Sequence, residues 1–309
     1  MPSVLLTGEA LQGALAQQLA QFLANGISAG SVYAIVGVGF GISYSVCKYF
    51  QFTQAALIAL GAYMAWSCFH LAGLPMIVAL VVAIGFTGCV GAGLQYFFYN
   101  TLVSRHSSRL VILLASLGAY IVLQNLISLL FGDEFLTLAK RDASVPLIVS
   151  SARITSVQLL IFVTNLLVCC GGILLLKFTA YGRFCRAAAD NGELAREYGV
   201  PVTQVHLGVS FVTSCVFAVA GILIGFDRGM GPTMGFDPLL MGVAAGIVGG
   251  IGNVLGTVSA ALLMGLVEVF GVWRLPTQWQ HGLVFAIVAV VVFLRPNGLF
   301  VKSSSIREL

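Results

Sequence analysis

The sequence predicts an all-α polytopic membrane protein, and three observations carry that prediction. The 309 residues are 59% hydrophobic and 8% charged, with a mean hydropathy of +1.01, whereas roughly a quarter of a soluble domain is charged. Apolar runs of about 20 residues, the length that crosses a ~30 Å hydrocarbon layer as a helix, recur from one end of the chain to the other. None alternates as a barrel strand does, and only helices or closed barrels satisfy their backbone hydrogen bonds in lipid. Residues 1–309 therefore read as a single transmembrane domain of about eight to nine helices. The formal net charge of +4 is small and scattered, so it speaks to membrane sidedness and not to a nucleic-acid partner.

Residues 1–21 form a short amphipathic N-terminal segment. No Lys or Arg precedes Lys48, so the positive region of a cleavable signal peptide is missing and the first span is expected to stay in the protein. Apolar helices follow near 22–46, 52–71, 76–98, 111–131, 157–178, 204–225, 238–252, 254–272 and 279–294. The seventh, in "PLLMGVAAGIVGGIGN", is short and holds five glycines, which suits a kinked or broken helix surrounded by protein or a water-filled cavity. If all nine cross and the loop after the fifth lies in the cytoplasm, ten of the fifteen Lys and Arg face inward. These are Lys48, Arg105, Arg109, Lys177, Arg183, Arg186, Arg196, Arg295, Lys302 and Arg307. The expected topology has the N-terminus outside and the C-terminus inside. Lys140, Arg141 and Arg153 share the loop after the fourth span with Asp133, Glu134 and Asp142. The seven cysteines show no metal-ligand spacing and read as small core residues.

Between the fifth and sixth spans, "AAADNGELAREYG" sets Ala187, Ala188, Ala189, Leu194, Ala195 and Tyr198 at three- and four-residue spacings among Asp190, Glu193, Arg196 and Glu197. That pattern predicts one short amphipathic helix, stopped by Gly199 and Pro201. Its small-residue face suits either a partner's groove or a solvated loop.

The stretch "YGRFCRAAADNGELAREYGV" resembles the cytoplasmic loop of permeases of the bacterial branched-chain amino acid (and related urea and amide) ABC importers. "NGISAGSVYAIVGVGFGISYSV", "MGFDPLLMGVAAGIVGGIGNVLGTVSAALLMGLVE" and "FLRPNGLF" resemble further stretches of that family, in family order. The resemblance implies an importer-permease fold in the inner membrane, a second homologous permease as heterodimer partner, two ATP-binding cassette subunits and a periplasmic binding protein. This chain would do no covalent chemistry and bind no metal or cofactor, ATP-Mg being used by the partners. The loop at about 179–203 would couple the ATPase to the membrane helices. Arg183, Arg186, Asp190, Glu193, Arg196, Tyr198 and Gly199 would belong to that segment, with Ala187, Ala188, Ala189 and Leu194 in the contact. Candidates for the translocation pathway are Tyr33, Phe40, Tyr44, Gln54, Gly249, Gly250, Gly252, Asn253 and Glu268. The solute would be a small amphipathic molecule, a branched-chain or related amino acid, with urea, amides or other small organic solutes as the alternative.

The departures bear on the solute. Where the family usually carries an "NFAHGE"-like stretch this chain reads "QFTQAAL", with Gln54 in the place of His and Ala56 in that of Glu. Met241 stands where many members have Lys. Both changes remove ionisable groups.

Other motifs are weaker. "GISAG" at 26–30 matches the GxSxG nucleophile pattern with Ser28, but it opens an apolar helix where that motif needs a strand-to-helix turn. His70, His106, His206 and His281 could supply a base, though three of them stand near helix ends. "GVGFG" and "GGIGNVLG" lack the GxGxxG spacing after a strand, and no GxxxxGK[ST] occurs. Glycines so spaced let membrane helices approach closely or bend. Glu268 is the clearest acid inside a span. It is expected to make a helix–helix hydrogen bond, with Gln124, Asn125 or Asn165 as partners, or to serve an ion-coupled transporter.

Overall fold

The structure is a computed structural model, and it describes residues 8–138, 147–149, 152–271, 276, 279–295 and 298–299. Lys140, Arg141, Asp142, Arg274, Lys302 and Arg307, with the side chains of Arg153 and His281, lie outside the described residues.

The first 47 residues depart from expectation in one respect. Helix α1 runs unbroken from Gly8–Cys47 over 40 residues, so residues 8–21 and the first span are one rod of roughly 60 Å. No Gly or Pro interrupts 14–25, and the helix stops only where Lys48 takes φ 61°. Helix α2 (Thr53–His70) follows a five-residue turn. Pro75 opens α3 (Met76–Gly93), which passes through a π-helical stretch at Leu94–Tyr99 into α4 (Asn100–Ser104). Helix α5 (Arg109–Phe131) is capped by Ser108, whose side chain accepts from the Val111 amide.

The connection after α5 holds an antiparallel hairpin, β1 (Leu147–Val149) and β2 (Ala152–Ile154), with Ile148 opposite Arg153. It is an exception to the all-helical expectation, outside any span. Helix α6 (Ser156–Phe178) starts with a Thr155–Gln158 capping box. Then come α7 (Ala180–Asp190), α8 (Gly192–Glu197), α9 (Val202–Asp227), α10 (Phe236–Gly249), α11 (Val254–Gly271) and α12 (Gln280–Leu294). Six of the helices are long and apolar enough to cross a membrane alone.

Helix α1 is the central rod, packed by α6, α9, α10 and α11. The closest approach is to α11, and the "GISAG" stretch makes it. A Cβ on Gly30 would lie 2.7 Å from the Leu262 Cα, and one on Gly265 would lie 2.5 Å from the Gly30 Cα. The motif is a small-xxx-small helix contact, with Ser28 buried beside it. Helices α2 and α3 pack on α9, and α5 packs on α2. Helices α3, α5 and α6 keep mostly outward-facing apolar surfaces, as lipid-facing rods do. One end of the bundle carries α7 and α8, and the other carries the hairpin.

Candidate functional site

Two regions gather the predicted residues. The first is the α7–α8 end. The expected single helix is two, because Asn191 leaves the helical region at φ −150°, ψ 102°. Its side chain then accepts from the amides of Glu193 and Leu194, both at 3.1 Å. Asn favours capping over a helix interior, and the following Gly weakens propagation, so the break follows from "DNGE". Gly199 ends α8 at φ +83°, with the Val200 amide bonded back to the Ala195 carbonyl at 3.0 Å, the C′ role expected of it.

The loop is held firmly on the bundle. Tyr181 donates to the Val205 carbonyl at 2.8 Å, Thr179 caps α7 at the Gly182 amide, and Arg186 donates to the Leu176 carbonyl. Burial pushes the Cys185 thiol up to about 11, with Arg186 pulling it down, so the thiol stays protonated and inert.

The alanine face is a correction. Ala188 is 3% exposed and packs among Val38, Ile42, Val46, Cys185 and Val202, with Ala187 and Ala189 half-buried against them. Small side chains let the loop seat closely on its own membrane helices, so Ala188 supports the loop from beneath. The outward face is Arg183, Phe184, Arg186, Asp190, Glu193, Leu194, Arg196, Glu197 and Tyr198. Tyr198 is 80% exposed and Leu194 49%.

The glycine block meets this loop. Gly250 (φ +95°) and Gly252 (φ +89°) turn the chain between α10 and α11, and Asn253 caps α11 at the Gly256 amide, 3.1 Å away. Gly249 abuts the backbone of Gly256 and Thr257. The tail docks here too, the Leu299 amide donating to the Val248 carbonyl at 2.8 Å. Gly252 and Asn253 line a cavity of about 520 Å³ together with Lys48, Lys177, Arg186 and Asp190.

The second region lies inside the bundle. Helix α10 has 14 residues, roughly 21 Å, too short to cross alone. Residues 228–235, "RGMGPTMG", precede it as non-helical backbone. Met230 pairs with Leu136 at the hairpin end, and Gly235 abuts the Ala55 carbonyl on α2. Residues 229–232 and 235 are buried, so protein shields the unwound backbone as membrane depth requires. Sequence reading placed this stretch in a loop, although its three glycines and Pro232 signal broken structure.

Aromatics run from the α7–α8 end to this break, with Tyr44, Phe50, Phe52 and Phe236 partly exposed and Phe40 and Tyr120 buried. Phe40 meets Tyr44 at 5.5 Å and Phe50 at 5.1 Å. Phe50 meets Phe52 at 4.8 Å, and Phe236 stacks on Phe52 at 6.3 Å and Tyr120 at 5.5 Å. Beside them lies a buried amide network. Gln54 donates to Ser43 (3.1 Å) and Gln51 (3.0 Å), Gln51 to Gln95 (3.2 Å), and Gln95 to Tyr49 (2.7 Å) and Asn100 (3.1 Å). Gln95 belongs to the π-helical stretch, which turns it inward. Polar function is thus kept at the departure from "NFAHGE", as uncharged amides.

Tyr33, Met241 and Glu268 lie in the core. Tyr33 donates to Glu268 at 2.7 Å, α1 to α11. The helix–helix bond expected of Glu268 forms, but with Tyr33 in place of Gln124, Asn125 or Asn165. Met241 is 1% exposed and packs with Tyr33 and Met264.

Among the described residues six helices are long and apolar enough to cross a membrane, shorter apolar helices pack with them, and an amphipathic loop is seated on one end. This architecture is that of a membrane permease. It belongs to the family described as branched-chain amino acid transport system / permease component, whose model matches residues 22–293. The high-affinity branched-chain amino acid transport system permease protein LivH of Escherichia coli K12 is 27% identical over 90% of this chain and 94% of its own. BraD of Pseudomonas aeruginosa, described in the same words, is 26% identical over the same shares. The solved structure of PsaBC from Streptococcus pneumoniae in complex with Fab matches with a TM-score of 0.53 over 93% of this chain and 96% of that one, at 14% identity, a likeness of fold alone.

Proposed function

We propose that this permease forms half of the translocation pathway of an ATP-driven importer for branched-chain or related amino acids. The observation that carries the reading is the family match over 22–293, supported by LivH and BraD along nearly the whole chain. The other half would be a second, homologous permease in a heterodimer. Two ATP-binding cassette subunits would use ATP-Mg, and a periplasmic binding protein would deliver the solute to the permease pair in the bacterial inner membrane. The N-terminus would lie outside and the C-terminus in the cytoplasm.

In this reading the chain changes no covalent bond. ATP in the partners acts only through differential affinity for outward- and inward-open states. The α7–α8 loop transmits that difference, through the exposed Leu194 and Tyr198 with Arg183, Asp190, Glu193 and Arg196 at the rim. Seating on Ala188 couples the loop to α1, α6 and α9. The pathway runs along the half-exposed Tyr44, Phe50, Phe52 and Phe236 rather than through the buried Tyr33 and Glu268.

Purification of the chain from its native host in mild detergent tests the proposal. Two ATPase copies, a second permease and solute-stimulated ATP hydrolysis are expected in the preparation. The chain alone, transporting without ATP, would overturn it.

A further inference from the structure

The cavity of about 520 Å³ beside α7 is walled by Val38, Ile42, Ile173, Leu176 and Leu255, yet basic side chains also line it. Lys48 follows the last residue of α1, Lys177 stands in the last turn of α6 and Arg186 belongs to α7, so three helices each bring one cation to the same space. Asp190 is the one acid among the lining residues, and all four are exposed. Among the described residues the one ion pair joins Arg228 to Asp227 at 3.4 Å, so Asp190 neutralises none of the three. Arg186 donates to the Leu176 carbonyl, which leaves most of the donors of its guanidinium unused. A cation in the last turn suits the dipole of α6. That accounts for Lys177, but not for three cations around one cavity.

The excess of positive charge calls for an anion, and the apolar walls call for a hydrocarbon chain. Where the cavity opens decides which molecule carries both. Leu255 on α11 is 67% exposed and Lys177 on α6 is exposed too, so the mouth lies on the flank of the bundle, between α6 and α11. Most of α6 faces outward and is apolar, which makes this flank a lipid-facing one, and Lys177 stands where that span leaves the hydrocarbon. Apolar room continues inward, since a second cavity of about 240 Å³ shares Val38, Ile42 and Cys185 with the first and is bounded on α6 by Gly171 and Gly172. Basic pockets between membrane helices at headgroup level suit anionic lipids. A soluble phosphate gains nothing from the apolar walls.

We propose that this cavity holds an anionic phospholipid, with its phosphate received by Lys48, Lys177 and Arg186 and its chain laid along the apolar walls between α6 and α11. Charge-assisted hydrogen bonds from Arg186 and the two ammonium groups hold the phosphate. A phosphate in that place ties the ends of α1 and α6 to α7, so the lipid fastens the seat of the α7–α8 loop. The inference is independent of the solute carried.

The test is titration of dioleoyl phosphatidylglycerol into the purified full-length chain in an uncharged detergent, with bound lipid read by native mass spectrometry. Dioleoyl phosphatidylcholine, whose choline cancels the charge, and glycerol 3-phosphate, which has no chain, are the comparison probes. The expected result is saturable binding of phosphatidylglycerol, with both comparison probes weaker by about tenfold or more. One Lys or Arg beside anionic lipid is worth about fivefold in affinity, so Lys48→Gln and Lys177→Gln should each weaken phosphatidylglycerol binding by about that factor. Asp190→Asn removes the opposing charge and should tighten binding by a similar factor, a gain that a misfolded variant cannot imitate. The double variant Arg105→Gln, Arg109→Gln removes exposed cations of the same end that do not line the cavity, and should change the affinity by less than about twofold.

Equal binding of phosphatidylcholine would make the cavity an apolar cleft without charge selection, and equal binding of glycerol 3-phosphate would assign it to a soluble phosphate. Either result overturns the inference. So does wild-type affinity in Lys48→Gln, Lys177→Gln and Asp190→Asn alike. A loss in the Arg105 and Arg109 double variant as large as in the cavity variants would mark a diffuse attraction of the whole basic end, and overturns it as well.

Discussion

A buried carboxylate and a buried phenol hold the centre of the bundle together. Glu268 is 6% exposed and Tyr33 also 6%, and each satisfies the other across the α1–α11 contact. Removing one partner leaves the other in low dielectric without water, which costs about 1–3 kcal/mol. Tyr33→Phe is therefore expected to lower the melting temperature of the detergent-solubilised protein, and Glu268→Gln, which still accepts from Tyr33, to lower it less. If Glu268→Gln instead left stability unchanged but abolished uptake, the pair would be a transport element and not a strut. The sequence made Glu268 conspicuous as an acid inside an apolar run. It could not name Tyr33, which is 235 residues away, because spacing along a chain says nothing about which rods touch.

Helices were legible wherever apolar length alone decides, and hidden wherever backbone hydrogen bonding decides. All nine expected spans have a counterpart, because twenty apolar residues in lipid have no alternative to a helix. The π-helical turn at Leu94–Tyr99 lies inside an apolar run, while the break at Asn191 and the buried unwound 228–235 follow from capping and backbone geometry, so an apolar-run search resolves none of them. In the α7–α8 loop, spacing identified the small face but not its direction, and burial of Ala188 turns it inward. Ala188→Asp would place an unpaired charge in the core, and its expected effect is loss of folded protein. Leu194→Asp and Tyr198→Asp change exposed positions and should leave the melting temperature within about 1 °C, as surface substitutions do, while weakening retention of the ATPase on an affinity column. Retention at wild-type levels by both variants would place the docking face elsewhere.

The molecule as a whole is organised by its two unlike ends. Lys48, Arg105, Arg109, Lys177, Arg183, Arg186, Arg196 and Arg295 gather at the α7–α8 end, and Arg153 and Arg228 stand at the hairpin end. By the positive-inside rule the former end is the one we propose to be cytoplasmic. The broken helix decides whether the tail shares that side. Helix α10 begins at half-depth, but its last turn reaches Gly252 and Asn253, which share a cavity with Arg186 and Asp190. In the topology we propose, 228–235 and α10 together make one crossing, α11 returns, and α12 brings Leu299 back against Val248. A fluorescent protein fused after Leu309 and a second inserted after Gly199 should both fluoresce, as they do only in the cytoplasm, and alkaline phosphatase at either position should be inactive. An active phosphatase at the tail alone would mean that α10 turns back without crossing. Activity at both positions would invert the whole bundle and place the α7–α8 face out of reach of any ATPase.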